Sequence, residues 1–264
     1  LHRLRAKDPG NLKYQTDLAR GLHNVAEAER RLQHRETALR TIQLAIQEKQ
    51  RIVDQSPEDK YRHLLLSSRI VYADLMRDAK QYVPALEQYR DIYGTARELV
   101  EKNRDELAYQ FTLSTVAHSL GQMEKENKEW DAANQHYHEA LKLRKQLSAR
   151  NPQQVKLILD TSITQYNLGN LHQVQAQLQP AIVLYQESYA TLLKVPEAQR
   201  QQAGVQKQLV NCHWAIAETS HSLKQFSVAL KHWDEAIQLT KDDKFLTFLR
   251  TERQKTASQV PKKE

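Results

Sequence analysis

Five side chains that end in a carboxylate or a carboxamide recur at a near-constant interval: Glu27, Asp74, Gln122, Asn170 and Glu218. Four residues before each stands His23, Ile70, His118, Tyr166 or Trp214, mostly rings. Three residues after each stands Arg30, Arg77, Lys125, Gln173 or His221, basic for three copies and then fading. Residues three and four apart share one face of a helix, so on helices the three rows form a single strip. Carboxamides and carboxylates can hydrogen-bond an extended peptide backbone, and rings add flat apolar area at low entropy cost. The basic row would suit acidic groups on a ligand. A plainer reading stands beside this one. Glu27 with Arg30 or Arg31, and Asp74 with Arg77, have the spacing of ordinary surface ion pairs, worth ~0.3–0.5 kcal/mol each.

Chemistry of other kinds is missing. No glycine-rich phosphate loop, HExxH, CxxC or GxSxG occurs. His136 and His138 point to different sides of a helix, and His23 and His34 fall on opposite arms of one hairpin, so neither pair forms a metal site by spacing. No metal and no cofactor are expected. Cys212 is the single cysteine. Its counterparts one or more intervals away are small (Gly21, Ser68, Val116, Thr164), which marks a buried structural thiol rather than a nucleophile. At 27% charged residues, pairs such as Glu124/Glu126 and Asp242/Asp243 arise without catalytic meaning. Kinase motifs are absent, and the chain is expected not to be an enzyme.

The elements that carry the strip follow from a second pair of rows. A small residue falls at Ala26, Ala73, Gly121, Gly169 and Ala217, in steps of 47, 48, 48 and 48. An alanine falls at Ala38, Ala85, Ala133, Ala181 and Ala229 with the same steps, and four residues on stand Ile42, Tyr89, Tyr137, Tyr185 and Trp233. This is the pattern of a helical hairpin. The small residue lets the second helix approach, the alanine sits at the crossing, and the ring fills the space beside it. Three residues before the alanine, Tyr82, Trp130, Leu178 and Phe226 staple the start of the second helix; Arg35 breaks that row, so the first hairpin is expected to close less tightly. Six glycines and seven prolines in 264 residues are too few for a sandwich or barrel, which needs a turn every ~8–12 residues.

The run Leu120-Gly121, Trp130, Ala133, Tyr137, Ala140 and its copies resemble the tetratricopeptide repeat over nearly the whole chain. They depart from it in a period of 48 instead of about 34, and in lacking the opening aromatic, whose place is taken by Leu22, Arg69, Ala117, Gln165 and His213. Segments such as Tyr14–Asn24 are similar to the long tetratricopeptide arrays of planctomycete-type bacteria, which often follow a serine/threonine kinase domain. The resemblance implies an all-α, right-handed solenoid of about five antiparallel helix pairs whose first helices line a concave face. It implies a non-catalytic scaffold, with a protein or extended peptide held along His23, Glu27, Arg30, Asp74, Arg77, His118, Gln122, Lys125, Tyr166, Asn170, Gln173, Trp214, Glu218 and His221. Alternatives are a fragment of a kinase whose catalytic domain lies outside this chain, or a basic nucleic-acid binder.

The nucleic-acid alternative draws on a net charge of +7, but acids and bases interleave and the rows vary too much for a base-by-base code. No run of ~18 apolar residues is present to cross a membrane and no signal peptide is visible, so a cytoplasmic location is expected. The pairs are expected at 11–55, 58–102, 104–150, 153–195 and 197–241, together a solenoid over 11–241. Helix starts are expected at Asp8-Pro9, Ser56-Pro57 and Asn151-Pro152, a polar cap followed by proline. Residues 1–10 match the end of a second helix elsewhere and read as the remnant of a truncated repeat, so a longer parent protein is expected. Residues 242–260, with Phe245, Leu246, Phe248 and Leu249, read as a capping helix, and 261–264 as a charged tail.

Overall fold

The computed structural model describes residues 10–260, and the expectations for residues 1–9 and 261–264 lie outside the described residues. Every regular element among the described residues is helical. In chain order they are α1 (Leu12–Arg31), α2 (Arg35–Gln55), α3 (Asp59–Asp78), α4 (Tyr82–Lys102), α5 (Leu107–Glu126), α6 (Trp130–Arg150), α7 (Val155–Val174), α8 (Leu178–Leu192), α9 (Ala203–Ser222), α10 (Phe226–Leu239) and α11 (Asp243–Ser258). A short 3-10 turn at Glu197–Gln199 lies between α8 and α9. The all-α class and the succession of helix pairs are as the sequence implies. The chain divides into two compact units, one up to Glu124 and one from Lys125.

In the first unit α1, α2, α3 and α4 pack each on the next, and α1 also touches α3. One core cluster joins Ala26, Ala38, Ile42, Ala45, Val71 and Leu75. Arg35 is exposed, yet Ala26, Ala38 and Ile42 are completely buried. The first pair therefore closes as the others do, because the crossing rests on the small residue, the alanine and Ile42 and does not need the staple. In the second unit the same packing runs from α6 through α11, with α7 also touching α9. Its clusters centre on Ala133 and Tyr137, on Ala181 and Tyr185, and on Ala217, Ala229 and Trp233, the last including Leu249 of α11. Burying each such ring contributes roughly 1.5–3 kcal/mol.

The turn inside each pair is built the same way five times. Gln33, Lys80, Lys128, Ala176 and Lys224 all take φ between 58° and 64°, and their numbers step by 47, 48, 48 and 48. None is glycine. In four of the five the next residue closes the helix end: His34, Gln81, Gln177 and Gln225 donate their backbone N–H to Glu29, Met76, His172 and Ser220, at 2.8–2.9 Å. That bond, from the third residue past the helix to its last turn, stabilises the left-handed conformation against its cost of ~1 kcal/mol.

Between pairs the sequence reading needs correction. Ser56 and Asn151 do not start helices but end them, as the C-caps of α2 and α6, and Asn151 Nδ2 bonds the Leu147 carbonyl at 3.2 Å. Pro57 and Pro152 stop the preceding helix, since neither can continue its ladder, and α3 and α7 begin only at Asp59 and Val155. All five first helices are 20 residues long. The second helices are 21 residues in α2, α4 and α6, then 15 in α8 and 14 in α10. After α8 the chain folds Val195 back into a cluster with Ile158, Val205 and Leu209, and Arg200 ties the bend by donating to the carbonyls of Val195 and Leu193 at 2.9 and 2.7 Å.

Candidate partner-binding face

The strip expected on the first helices is held in place from behind by the rings of the second helices. In the first unit Tyr89 of α4 donates its hydroxyl to Asp74 Oδ1 of α3 at 2.5 Å. Arg77 Nη1 lies 3.1 Å from the same oxygen and bonds the Tyr89 hydroxyl at 3.4 Å. Arg30 of α1 reaches across to Asp74 at 3.1 Å and Asp78 at 3.2 Å, and pairs with Glu27 at 3.7 Å. Burial opposes the charge on Arg30, but Asp74, Asp78 and Glu27 outweigh it and its pKa is raised. The same balance of burial against Asp74, with Tyr89 and Asp78, raises Arg77. Burial first, and then Asp74, push the Tyr89 hydroxyl upward, so it stays a donor.

His23 stands one turn before Glu27 on α1 and is half-buried. Its Nδ1 is 3.0 Å from Ser68 Oγ, and burial, helped by Lys49, lowers its pKa to about 4. Lys49 of α2 is itself almost fully buried, donates to Ser67 Oγ at 3.0 Å, and is lowered by burial and by Arg20 to about 7. On α5, His118 is buried and Gln122 half-buried.

The second unit repeats the motif with neutral groups. Tyr185 of α8 donates to Asn170 Oδ1 of α7 at 2.7 Å, with Gln173 Oε1 at 2.5 Å. Tyr166, one turn before Asn170, packs on the Tyr185 ring at 5.3 Å between centroids and hydrogen-bonds Asn170. Gln173 Nε2 reaches Glu218 of α9 at 3.4 Å. Tyr166, Asn170, Gln173 and Glu218 are thus joined in one network through Tyr185. Burial, with Cys212 and Glu218 adding to it, carries the Tyr166 hydroxyl to about 12. Burial also raises Tyr185, with Tyr166 and Glu218 contributing.

The remaining expected residues are placed differently. Trp214 meets Phe245 and Phe248 of α11 edge-on, at 5.6 and 6.2 Å. His221 Nδ1 lies 2.8 Å from Thr256 Oγ1 of α11, which also accepts from Trp233 Nε1 at 3.1 Å. Trp214 and His221 therefore serve as seats for the terminal helix. Lys125 pairs with Glu126 at 3.2 Å.

Sequence reasoning missed a histidine pair: His213 Nδ1 of α9 and His232 Nδ1 of α10 are 2.9 Å apart, with Tyr189 edge-on to His213. Burial, then His232, lower His213 to about 4. The signal was hidden because the pair is 19 residues apart and spans two helices. Among the described residues no group of three or more histidine, cysteine or acidic side chains could hold a metal. Cys212 is fully buried beside Ser188 Oγ at 3.1 Å, and burial raises its thiol to about 12. Protonated and enclosed, it is no nucleophile at neutral pH. No described helix is long and apolar enough to cross a membrane.

Residues 113–152 match the family model for the tetratricopeptide repeat. No curated protein matches the sequence. Among solved structures, BtubC (BKLC) from P. vanneervenii is similar with a TM-score of 0.66 at 16% identity, covering 100% of this chain and 89% of that one. PilF of Pseudomonas aeruginosa is similar at 0.59 and 14%, covering 92% and 89%. A Rap protein complexed with Competence and Sporulation Factor is similar at 0.57 and 11%, covering 92% of this chain and 66% of that one. At these identities the likeness is one of fold.

Proposed function

We propose that this tetratricopeptide-repeat chain is a non-catalytic scaffold that holds an extended peptide, or an extended segment of a protein, along its first helices. The observation that carries the reading is the set of amides in the second unit. Asn170 and Gln173 are pinned by Tyr185 on the strip that also holds Tyr166 and Glu218, so the polar groups are ordered before a ligand arrives. Ordering them in advance lowers the entropy cost of binding. The Rap protein, similar in fold, is described with Competence and Sporulation Factor bound, which supports the reading by analogy of architecture. Acidic groups on the ligand are not required, since Arg30 and Arg77 are already matched by Asp74, Asp78 and Glu27.

The test is selection of linear dodecapeptides displayed on phage against the intact chain, followed by affinity measurement on variants. Asn170→Asp keeps the acceptor for Tyr185 and removes the amide donors; Glu218→Ala removes an exposed carboxylate. The reading expects selected peptides to weaken at least fivefold on one or both variants with the melting temperature held. Peptides that bind both variants as they bind the parent chain would remove it.

A further inference from the structure

The short second helix α10 leaves a space beside its C-terminal end. After α8, the buried Val195 fills the gap beside α7 and α9. After α10 the chain enters α11 within three residues, Thr240–Asp242, and a cavity of about 460 Å³ opens between α9 and α11. Val210, Leu239 and Phe245 give it an apolar floor, while Lys207, Lys241 and Asp242 stand at its edge. Phe245 is a firm wall, stacked on Phe248 at 5.9 Å and edge-on to Trp214 at 5.6 Å. The Asp242 carboxylate is committed to capping α11, accepting from the Phe245 N–H at 2.9 Å. Lys207 and Lys241 are exposed, and neither has an ion-pair partner among the described residues. Two unmatched cations over an apolar floor suit an anion with a greasy body. Of the three amides that line the cavity, Gln206 already donates to the Arg200 carbonyl and Asn211 to Gln208, leaving Gln201 at the rim.

We propose that this cavity binds a small amphipathic carboxylate, its chain of about eight to ten carbons on Phe245 and its head between Lys207 and Lys241. The site is separate from the amide strip and does not depend on a peptide being held there. The test is isothermal titration of the intact chain with decanoate and with decan-1-ol, both below their aggregation concentrations. Saturable 1:1 binding of decanoate is expected, at least tenfold tighter than decan-1-ol. Reversing both exposed lysines (K207E with K241E) should weaken decanoate at least tenfold while leaving the helical circular dichroism unchanged. Val210→Phe, which fills the floor and keeps the charges, should abolish it; if that variant unfolds, the lysine reversal decides alone. No saturable decanoate binding, or equal binding by the alcohol or by the lysine-reversed chain, overturns the assignment. A peptide that binds through Lys207 and Lys241 where decanoate does not would overturn it too.

Discussion

The hydroxyl of Tyr185 donates to Asn170 Oδ1 at 2.7 Å, and 96 residues earlier that of Tyr89 donates to Asp74 Oδ1 at 2.5 Å. A ring read from sequence as filler beside a helix crossing thus also sets the orientation of the polar strip on the neighbouring helix. In the last pair the ring is Trp233, which has no hydroxyl and bonds Thr256 instead, and Glu218 is left exposed. Removing the hydroxyl with Tyr185→Phe should cost about 1 kcal/mol, the usual net worth of such a bond. Urea unfolding should show a lower midpoint at unchanged slope.

Gly169 lies so close to Tyr185 that an added Cβ would stand 2.6 Å from Cε1 and 2.8 Å from Cδ1. The obstacle is a buried ring, not the end of a flexible chain. Gly169→Ala should therefore destabilise by about 1–3 kcal/mol, the range for overpacking. Thermal unfolding checks it, and the double variant with Tyr185→Leu should recover part of the loss.

At Ala176 the opposite sign is expected. The residue is exposed with φ of 58°, where a Cβ is a burden. Ala176→Gly should stabilise by roughly 0.5–1 kcal/mol, because glycine takes this conformation without strain. A fall in stability on that change would mean the turn is not left-handed.

Lys49 gives the first unit a pH dependence. Its pKa is about 7 in the folded chain against 10.5 in the unfolded one, because burial disfavours its charge. The unfolded state thus binds more protons between these values, and stability rises with pH from about 7 toward 10.5. Lys49→Met removes a penalty on the order of 3–5 kcal/mol at pH 6, less whatever the chain recovers by relaxing. Denaturant midpoints at pH 6 and pH 9.5 should differ less in the variant than in the parent. The His23 titration, held down partly by Lys49, should move up.

Much of the fold was legible because a helix crossing is intolerant. Ala38, Ala85, Ala133, Ala181 and Ala229 are all completely buried, and no larger residue fits there, so the period is written openly in the sequence. The left-handed turns were not legible. Their residues are Gln, Lys and Ala, held by backbone bonds that any side chain permits. Pro196 marks the break after α8, but spacing could not reveal that α10 stops at Leu239, because Thr240, Lys241 and Asp242 include neither glycine nor proline. For the polar strip, sequence placed Asn170 and Gln173 on one face. It could not show that Tyr185 reaches both, since that contact depends on how two helices cross.

The first helices keep one length while the second helices vary by seven residues, from 21 to 14. Insertions and deletions are thereby channelled into the joints after the second helices. A loop grafted at the exposed Gln201–Gln202, beyond the Arg200 clasp, or between Leu239 and Asp242, changes what the joint presents and leaves the buried Val195 cluster in place. That makes those two joints the natural entry points for grafting new specificity onto the array.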